Sequence, residues 1–171
     1  MLIRQLRPED AEMFHALRLE GLRDFPSSFA SSFEEERTVT IAEVSERLAP
    51  GPGRAIFGAF VEGELAGIVG LHREPKRKLA HKAFLWGVYV APRYRRQGVA
   101  RGLMTWAIEE ASRWPGLRQI NLGVNAANTG ARALYESLGF QTFGLERGFM
   151  QIDGILHDER HMVLMLPAGG S

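Results

Sequence analysis

The sequence predicts an α+β fold, a twisted α/β mixed sheet with helices on both faces. Three observations carry that prediction. Apolar runs of strand length alternate with apolar stripes of helical period. Turns rich in proline and glycine separate them. The resulting order, βα(α)βββαβαββ, places hairpin-linked strands and helix-linked strands in one sheet. With 171 residues, 45% of them hydrophobic, and neither a linker nor an internal repeat, the chain reads as one domain over residues 1–171.

Residues 2–6 read as a short strand. Pro8-Glu9-Asp10 opens a helix, with proline in the first turn and acids at its positive end. Ala11, Phe14, Leu17, Gly21 and Phe25 continue that helix at helical spacing. Residues 26–33 form a Ser/Phe-rich loop, followed by the acidic patch Glu34-Glu35-Glu36. Thr40 with Glu43 makes a capping box for a second helix ending near Leu48. After the turn Pro50-Gly51-Pro52-Gly53, residues 55–61 and 65–71 flank Glu62-Gly63-Glu64 as a hairpin. A basic loop over 75–82 leads into a long strand over 83–90.

The helix after Gly98 extends to about Trp114, with Leu103, Ala107, Ala111 and Trp114 on one stripe and Pro115-Gly116 ending it. Residues 119–124 read as a strand, 129–137 as a helix capped by Gly139, and 140–145 and 160–166 as closing antiparallel strands. Residues 148–157 are expected to be the loop between those strands, and 167–171 to fray.

The most informative stretch joins the strand at 83–90 to the helix after Gly98. Its sequence is Ala91-Pro92-Arg93-Tyr94-Arg95-Arg96-Gln97-Gly98-Val99-Ala100-Arg101. A helix N-terminus leaves its first N–H groups unpaired and carries roughly half a positive charge. Gly98 and Ala100 let an anion approach those donors, and Arg95, Arg96 and Arg101 add charge at the same end. The pattern suits a pyrophosphate. Alone it reads equally as a solvated charged turn. The chain has no G-x-x-x-x-G-K-S/T and no G-x-G-x-x-G after a strand, so P-loop and Rossmann phosphate sites are poorly supported.

Composition narrows the chemistry. A net charge of +1 gives no bulk electrostatic reason to bind nucleic acid or an acidic membrane. No apolar run is long enough to span a bilayer, and the N-terminus is not a signal peptide, so the expected location is cytoplasmic. Zero cysteines fit a reducing compartment and exclude a thiolate nucleophile and thiolate-ligated metal. The five histidines lack metal-ligand spacing; no metal is expected.

A second motif runs Asn128-Thr129-Gly130-Ala131-Arg132-Ala133-Leu134-Tyr135-Glu136-Ser137-Leu138-Gly139-Phe140. Ala131, Leu134, Tyr135 and Leu138 share the inward stripe of a short helix, and Asn128 stands at its N-cap. Together the two motifs resemble the GNAT superfamily of acyl-CoA-dependent N-acetyltransferases. That family's phosphate motif, R/Q-x-x-G-x-G/A, is matched by Arg95, Gly98 and Ala100. Its later signature, N-x-x-A-x-x-L-Y-x-x-x-G-F, is matched by Asn128, Ala131, Leu134, Tyr135, Gly139 and Phe140. The likeness is close over residues 55–140. A looser one, in Asp153-Gly154, Asp158-Glu159 and Met162-x-Leu164, points to members that acetylate amino acids or protein N-termini.

The resemblance implies a GNAT-like acyl-CoA N-acyltransferase fold, with a twisted, mostly antiparallel sheet and acetyl-CoA as co-substrate. It implies that the backbone of Val88, Tyr89 and Val90 pairs with the pantetheine arm and that the amides of Arg96, Gln97, Gly98, Val99, Ala100 and Arg101 hold the pyrophosphate. It further implies that Asn128 contacts the cofactor and that Tyr135 sits beside the thioester sulfur. An amine would then attack the thioester directly. A backbone N–H near Val90 would meet the oxyanion, and Tyr135 would supply a proton to the departing thiolate.

Many relatives carry a glutamate base on the strand matching residues 83–88, where this chain has no acid. Glu34, Glu35, Glu36, His81, Asp158 and Glu159 are the remaining candidates. Glu36 is preferred because the Phe-rich loop before it should line the acceptor cleft. The expected activity is acetyl transfer from acetyl-CoA to a primary amine, whether a small amine, an amino acid or a peptide N-terminus. The alternative is a catalytically silent acyl-CoA-binding sensor on the same fold. Acceptor identity and oligomeric state stay open, a homodimer among the possibilities.

Overall fold

The computed structural model describes residues 1–167, so the expected fraying at 168–171 lies outside the described residues. The chain runs through β1 (Leu2–Gln5), α1 (Ala11–Asp24), α2 (Phe33–Glu36), α3 (Ile41–Leu48), β2 (Arg54–Val61), β3 (Glu64–Arg73) and β4 (Lys82–Val90). It continues through α4 (Val99–Ser112), β5 (Gln119–Asn125), α5 (Thr129–Ser137), β6 (Gln141–Ile152) and β7 (Ile155–Met165). The strands form one sheet in the order β1-β2-β3-β4-β5-β7-β6. Every neighbouring pair is antiparallel except β4 and β5, which are parallel and joined through α4. A parallel pair needs such a crossover because the chain must return to the sheet end where it began.

Helices cover both faces of this sheet. On one, Val99, Leu103, Met104, Ala107 and Ala111 of α4 pack on Phe57, Val69, Leu71, Ile120 and Met162. On the other, Phe14, Leu17 and Leu22 of α1 and Val44 and Leu48 of α3 pack on Ile56, Phe60, Ile68 and Tyr89. Strands covered on both faces bury consecutive residues, as β2 does from Ala55 to Phe60. Among the described residues, no helix is long and apolar enough to cross a membrane.

Two segments differ from the sequence-based expectation. The loop at 26–33 contains a 3-10 turn, Pro26–Ser28, and leads into the one-turn helix α2. Ser32 Oγ accepts from the Glu35 N–H at 3.1 Å while Glu35 Oε2 accepts from the Ser32 N–H at 3.0 Å. The S-x-x-E capping pattern therefore converts the acidic patch into a helical turn. Residues 148–157 are not a loop. β6 and β7 continue through them to a two-residue turn at Asp153-Gly154, with φ of 49° and 79°. Asp-Gly is favoured there because both positions need positive φ. The irregularities of this pair fall instead at register shifts between Thr142 and Gly144 and between Glu146 and Met150.

The feature that shapes the site is a bulge in β4. Its pairing with β3 slips between Ile68↔Tyr89 and Gly70↔Trp86, and Gly87 there has φ of 62°. A bulge bends its strand away from the neighbour. Trp86 fits only because residue 70 is glycine; a Cβ there would lie 2.1 Å from the indole ring. Gly70→Ala should therefore displace Trp86 and destabilise the fold by about 1–3 kcal/mol, the usual overpacking cost. Urea unfolding would show this as a lower midpoint with an unchanged slope.

Candidate active site

β4 and β5 hold together only through Lys82↔Gln119, Ala83↔Ile120 and Phe84↔Asn121. Beyond these the bulged β4 leaves its neighbour and a cleft of about 710 Å³ opens. Residues 85–90 form one wall and 122–125 the other, with the start of α4, the inner face of α5, and Phe25, Ser27 and Ser28 around the rim. Asn125 Nδ2 donates to the Ser27 carbonyl at 3.1 Å, which ties the α1–α2 connection across the opening.

At one end of the cleft, α4 begins without a side-chain cap. Gly98 is its N-cap at φ 78°, whereas Ser32, Thr40 and Asn128 cap α2, α3 and α5. The first helical bond runs from the Gly102 N–H to the Gly98 carbonyl at 2.9 Å, leaving the N–H groups of Val99, Ala100 and Arg101 without helical acceptors. A Cβ at Gly98 would meet nothing within 4 Å, so the approach is open. Ala100 and Arg96, the latter at φ 61°, line the cleft here. Open N–H groups, the helix dipole and a bare glycine fit a pyrophosphate.

The side chains of this loop are deployed differently from the expectation. Arg95 also lines the cleft, but its Nε donates to the Val90 carbonyl at 3.0 Å and its guanidinium lies 4.3 Å from the Phe25 ring centre. Its charge is thus turned to the cleft wall. Arg101 Nη2 donates to Ser137 Oγ at 2.8 Å, Gln97 Nε2 donates to the Arg93 carbonyl at 3.2 Å, and Val99 is core. What the helix start offers an anion is backbone N–H groups together with Arg96.

On the β4 wall, Val88 packs against the α4-side core. The Tyr89 side chain leaves the cleft and is buried between Phe25 and Phe29, its ring centroid 6.1 Å from each of theirs. Its hydroxyl donates to Glu20 Oε1 at 3.1 Å, and burial pushes its pKa up to about 12. Across the opening, Asn128 Oδ1 accepts from the Ala131 N–H at 3.1 Å and so fixes the start of α5. Tyr135, two turns on, packs edge-on against Phe140 and lines the cleft. Its hydroxyl has no hydrogen-bond partner among the described residues, and burial holds its pKa at about 12.

The candidate bases separate clearly. Glu36 is buried outside the cleft lining, with Oε2 accepting from Arg47 Nη1 at 2.9 Å and Oε1 lying 3.6 Å from Arg18 Nη2. Tied to two guanidinium groups and away from the cleft lining, Glu36 does not face the site that the sequence-based preference assigned to it. Glu35 is spent in its capping box, and Glu34 borders a separate groove beside the β6–β7 turn. The His81 carbonyl accepts from the Arg118 and Gln119 N–H groups, at the closed end of the β4–β5 pair. Asp158 Oδ1 accepts from the Gly148 N–H at 2.9 Å.

Glu159 is different. Its carboxyl covers Gly123, a cleft-wall residue, so closely that a Cβ there would lie 2.6 Å from Cδ. Burial raises its pKa above the ordinary carboxylate range, against the lowering effect of His161. His161 Nδ1 lies 3.9 Å away and its Nε2 2.9 Å from Glu146 at the surface.

Two further residues shape the site beyond the sequence-based candidates, and each leaves a signal in the sequence. Gly87 interrupts a strand run, the mark of a bulge. Arg18 places a charge on the apolar stripe of α1 between Phe14 and Gly21, and it is buried.

The acetyltransferase (GNAT) family model matches residues 14–140. Over 117 residues the chain is 29% identical to the L-amino acid N-acetyltransferase AaaT of Escherichia coli (strain K12), covering 68% of this chain and 72% of that protein. Its fold is similar to the crystal structure of a GNAT-family acetyltransferase from Streptococcus pneumoniae, with a TM-score of 0.86 and 27% identity over 96% of this chain and 99% of that one. A TM-score of 0.83, at 20% identity over 100% and 96% of the two chains, relates the fold to yncA of Salmonella typhimurium, a putative acetyltransferase solved with its cofactor acetyl-CoA. With the two motifs placed on one cleft and the family model spanning most of the chain, the protein belongs to the GNAT acetyltransferase family.

Proposed function

We propose that this chain is a single-domain N-acetyltransferase that passes an acetyl group from acetyl-CoA directly to a primary amine in a ternary complex. The observation that carries the reading is the convergence of an uncapped helix start and a free Tyr135 hydroxyl on the cleft between β4 and β5. The N–H groups of Val99, Ala100 and Arg101, with Arg96, hold the pyrophosphate. The free edge of β4 at Val88, Tyr89 and Val90 pairs with the pantetheine arm, as an added strand would, and Asn128 borders the same arm.

Acetyl-CoA supplies the thioester: the amine nitrogen bonds to its acetyl carbon, the carbon–sulfur bond breaks, and the CoA thiolate leaves. The β4 bulge leaves Gly87 and Val88 without register partners on β3, and the backbone N–H groups from there to Val90 meet the oxyanion. Tyr135 stays protonated at neutral pH and donates a hydrogen bond to the departing sulfur. Full transfer from a phenol held at about 12 to a thiolate whose thiol pKa is ~8.5 would be uphill by roughly 5 kcal/mol. The tyrosine therefore acts chiefly by stabilising the thiolate. Glu159 takes the amine's proton, directly or through water, and His161 and Glu146 continue the path to solvent.

The activity itself is tested by following CoA thiol release with amino acids, polyamines, aminoglycosides and short peptides. Release that depends on added amine is expected. Acetyl-CoA binding without transfer to any amine would favour a silent sensor.

Gly98→Asn and Gly98→Asp both tolerate positive φ, so their difference isolates charge. Calorimetry should find acetyl-CoA bound about 10-fold or more weakly by the aspartate variant, since like charges near 4 Å repel by ~1–4 kcal/mol. Equal affinities would move the pyrophosphate elsewhere.

Tyr135→Phe should slow single-turnover acetyl transfer by about 10²-fold while CoA affinity barely changes. A steady-state rate would not suffice, because product release can mask the chemical step.

Glu159→Gln should lower kcat/KM by about 10²-fold and abolish its acid limb. Its effect on stability has the opposite sign. Because the native pKa lies above the unfolded value of ~4.3, the charged form costs stability above the native pKa, and the cost vanishes below the unfolded one. The glutamine variant should therefore melt higher at pH 7 and lose that advantage near pH 4.

A further inference from the structure

Arg18 is an arginine where α1 should be apolar. It is 7% exposed, on the face of α1 that carries Phe14, Leu17 and Leu22. Its guanidinium is held on several sides. Nη2 donates to Ser31 Oγ at 3.3 Å and lies 3.6 Å from Glu36 Oε1, and Cζ stands 5.4 Å from the Trp86 ring centre. Glu36 is itself shared with Arg47, so two guanidinium groups face one carboxylate and the cluster keeps one positive charge in excess. Arg18 remains charged despite burial, because a guanidinium is not deprotonated in proteins. Its Nη1 is buried and has no hydrogen-bond partner among the described residues. An orphaned donor on a buried cation is costly, and such groups are rarely left without a purpose.

That Nη1 is aimed at the bulge. A Cβ on Gly87 would lie 3.3 Å from it, and Gly87 is a wall residue of the cleft, so Nη1 stands at that wall with no side chain of residue 87 in between. Trp86, Phe25 and Ser28 enclose the same end, on the α1 side of the sheet and across from the start of α4.

We propose that Arg18 is the carboxylate-binding position of the acceptor site and that the acceptor is a free α-amino acid. The inference rests on the N-acetyltransferase reading above. An amine placed at the Gly87 bulge for attack puts an α-carboxylate, one carbon removed, beside Gly87 and within reach of the free Nη1. A peptide N-terminus would present a neutral amide there, and its continuing chain would run into the buried cluster of Arg18, Glu36 and Trp86. A simple amine would leave the guanidinium unpaired. Glu36 is a positioning residue: it holds Arg18 without touching the acceptor.

The test compares acetyl transfer to L-methionine, L-leucine and L-phenylalanine with transfer to their carboxamides and to a methionyl tripeptide. Wild-type protein should favour the acids in kcat/KM by about 10- to 100-fold, the scale of a hydrogen bond to a charged group. Arg18→Met should bring the acid-to-carboxamide ratio close to one, with the loss falling on KM rather than kcat, and Arg18→Lys should restore part of the preference. Acetyl-CoA affinity, read by calorimetry, reports whether each variant is folded. If Arg18→Met does not fold, the wild-type ratio decides alone. Carboxamides or the tripeptide acetylated as well as the acids would overturn the carboxylate assignment and leave the enzyme reading intact. A ratio unchanged in a folded Arg18→Met would overturn it equally. Failure to acetylate any amine would overturn the enzyme reading, and this assignment with it.

Discussion

Three ladder positions join β4 to β5, and the bulge at Gly87 turns the rest of β4 aside. The site depends on this local interruption of pairing. A continuous parallel pair would satisfy its backbone groups internally and leave no opening through the sheet. By parting, the two strands expose a free edge at 85–90 and create a wedge into which a helix start and a helix face both look. The glycine permits the positive φ, and Trp86 seated on Gly70 fixes the strand just before the bend. The surrounding core, packed on both faces, keeps the edges from closing again.

Charge is distributed around the wedge by simple rules. The uncapped start of α4 makes one end attractive to a polyanion, and the neighbouring arginines serve mainly to build that end. Arg95 braces the wall and Arg101 reaches α5. On the opposite side of the sheet a buried guanidinium faces the bulge, and a carboxyl made reluctant to ionise covers Gly123. Cation and carboxyl flank the region where the β4 edge meets the acceptor side. Both groups carry a desolvation cost that packing elsewhere offsets.

Much of this was legible in the sequence. The element order, the apolar stripe of α4, the Thr40 capping box and the helix after Asn128 all follow from local periodicity and capping, which act over a few residues. Gly98 stood out for the same reason. Long-range placement was not legible. Glu36 and Glu159 each sit between an acid and an arginine in sequence, and only the fold shows one between two guanidinium groups and the other over Gly123. Asp153-Gly154 is not legible as a hairpin turn because the register shift near Gly148 breaks the alternation that marks β6 and β7 as long strands. Arg18 falls on the apolar stripe of α1 in the sequence, but its partners emerge only when the segment around Ser31 and Glu36 is folded over it.

The central claim is that the open start of α4 and the free edge of β4 grip one extended ligand. Amide hydrogen exchange with and without acetyl-CoA examines both at once. The account predicts added protection at Val99, Ala100 and Arg101 and along residues 87–90, with little change in β1 and β2. Protection confined to one of the two segments, or spread evenly over the sheet, would contradict it.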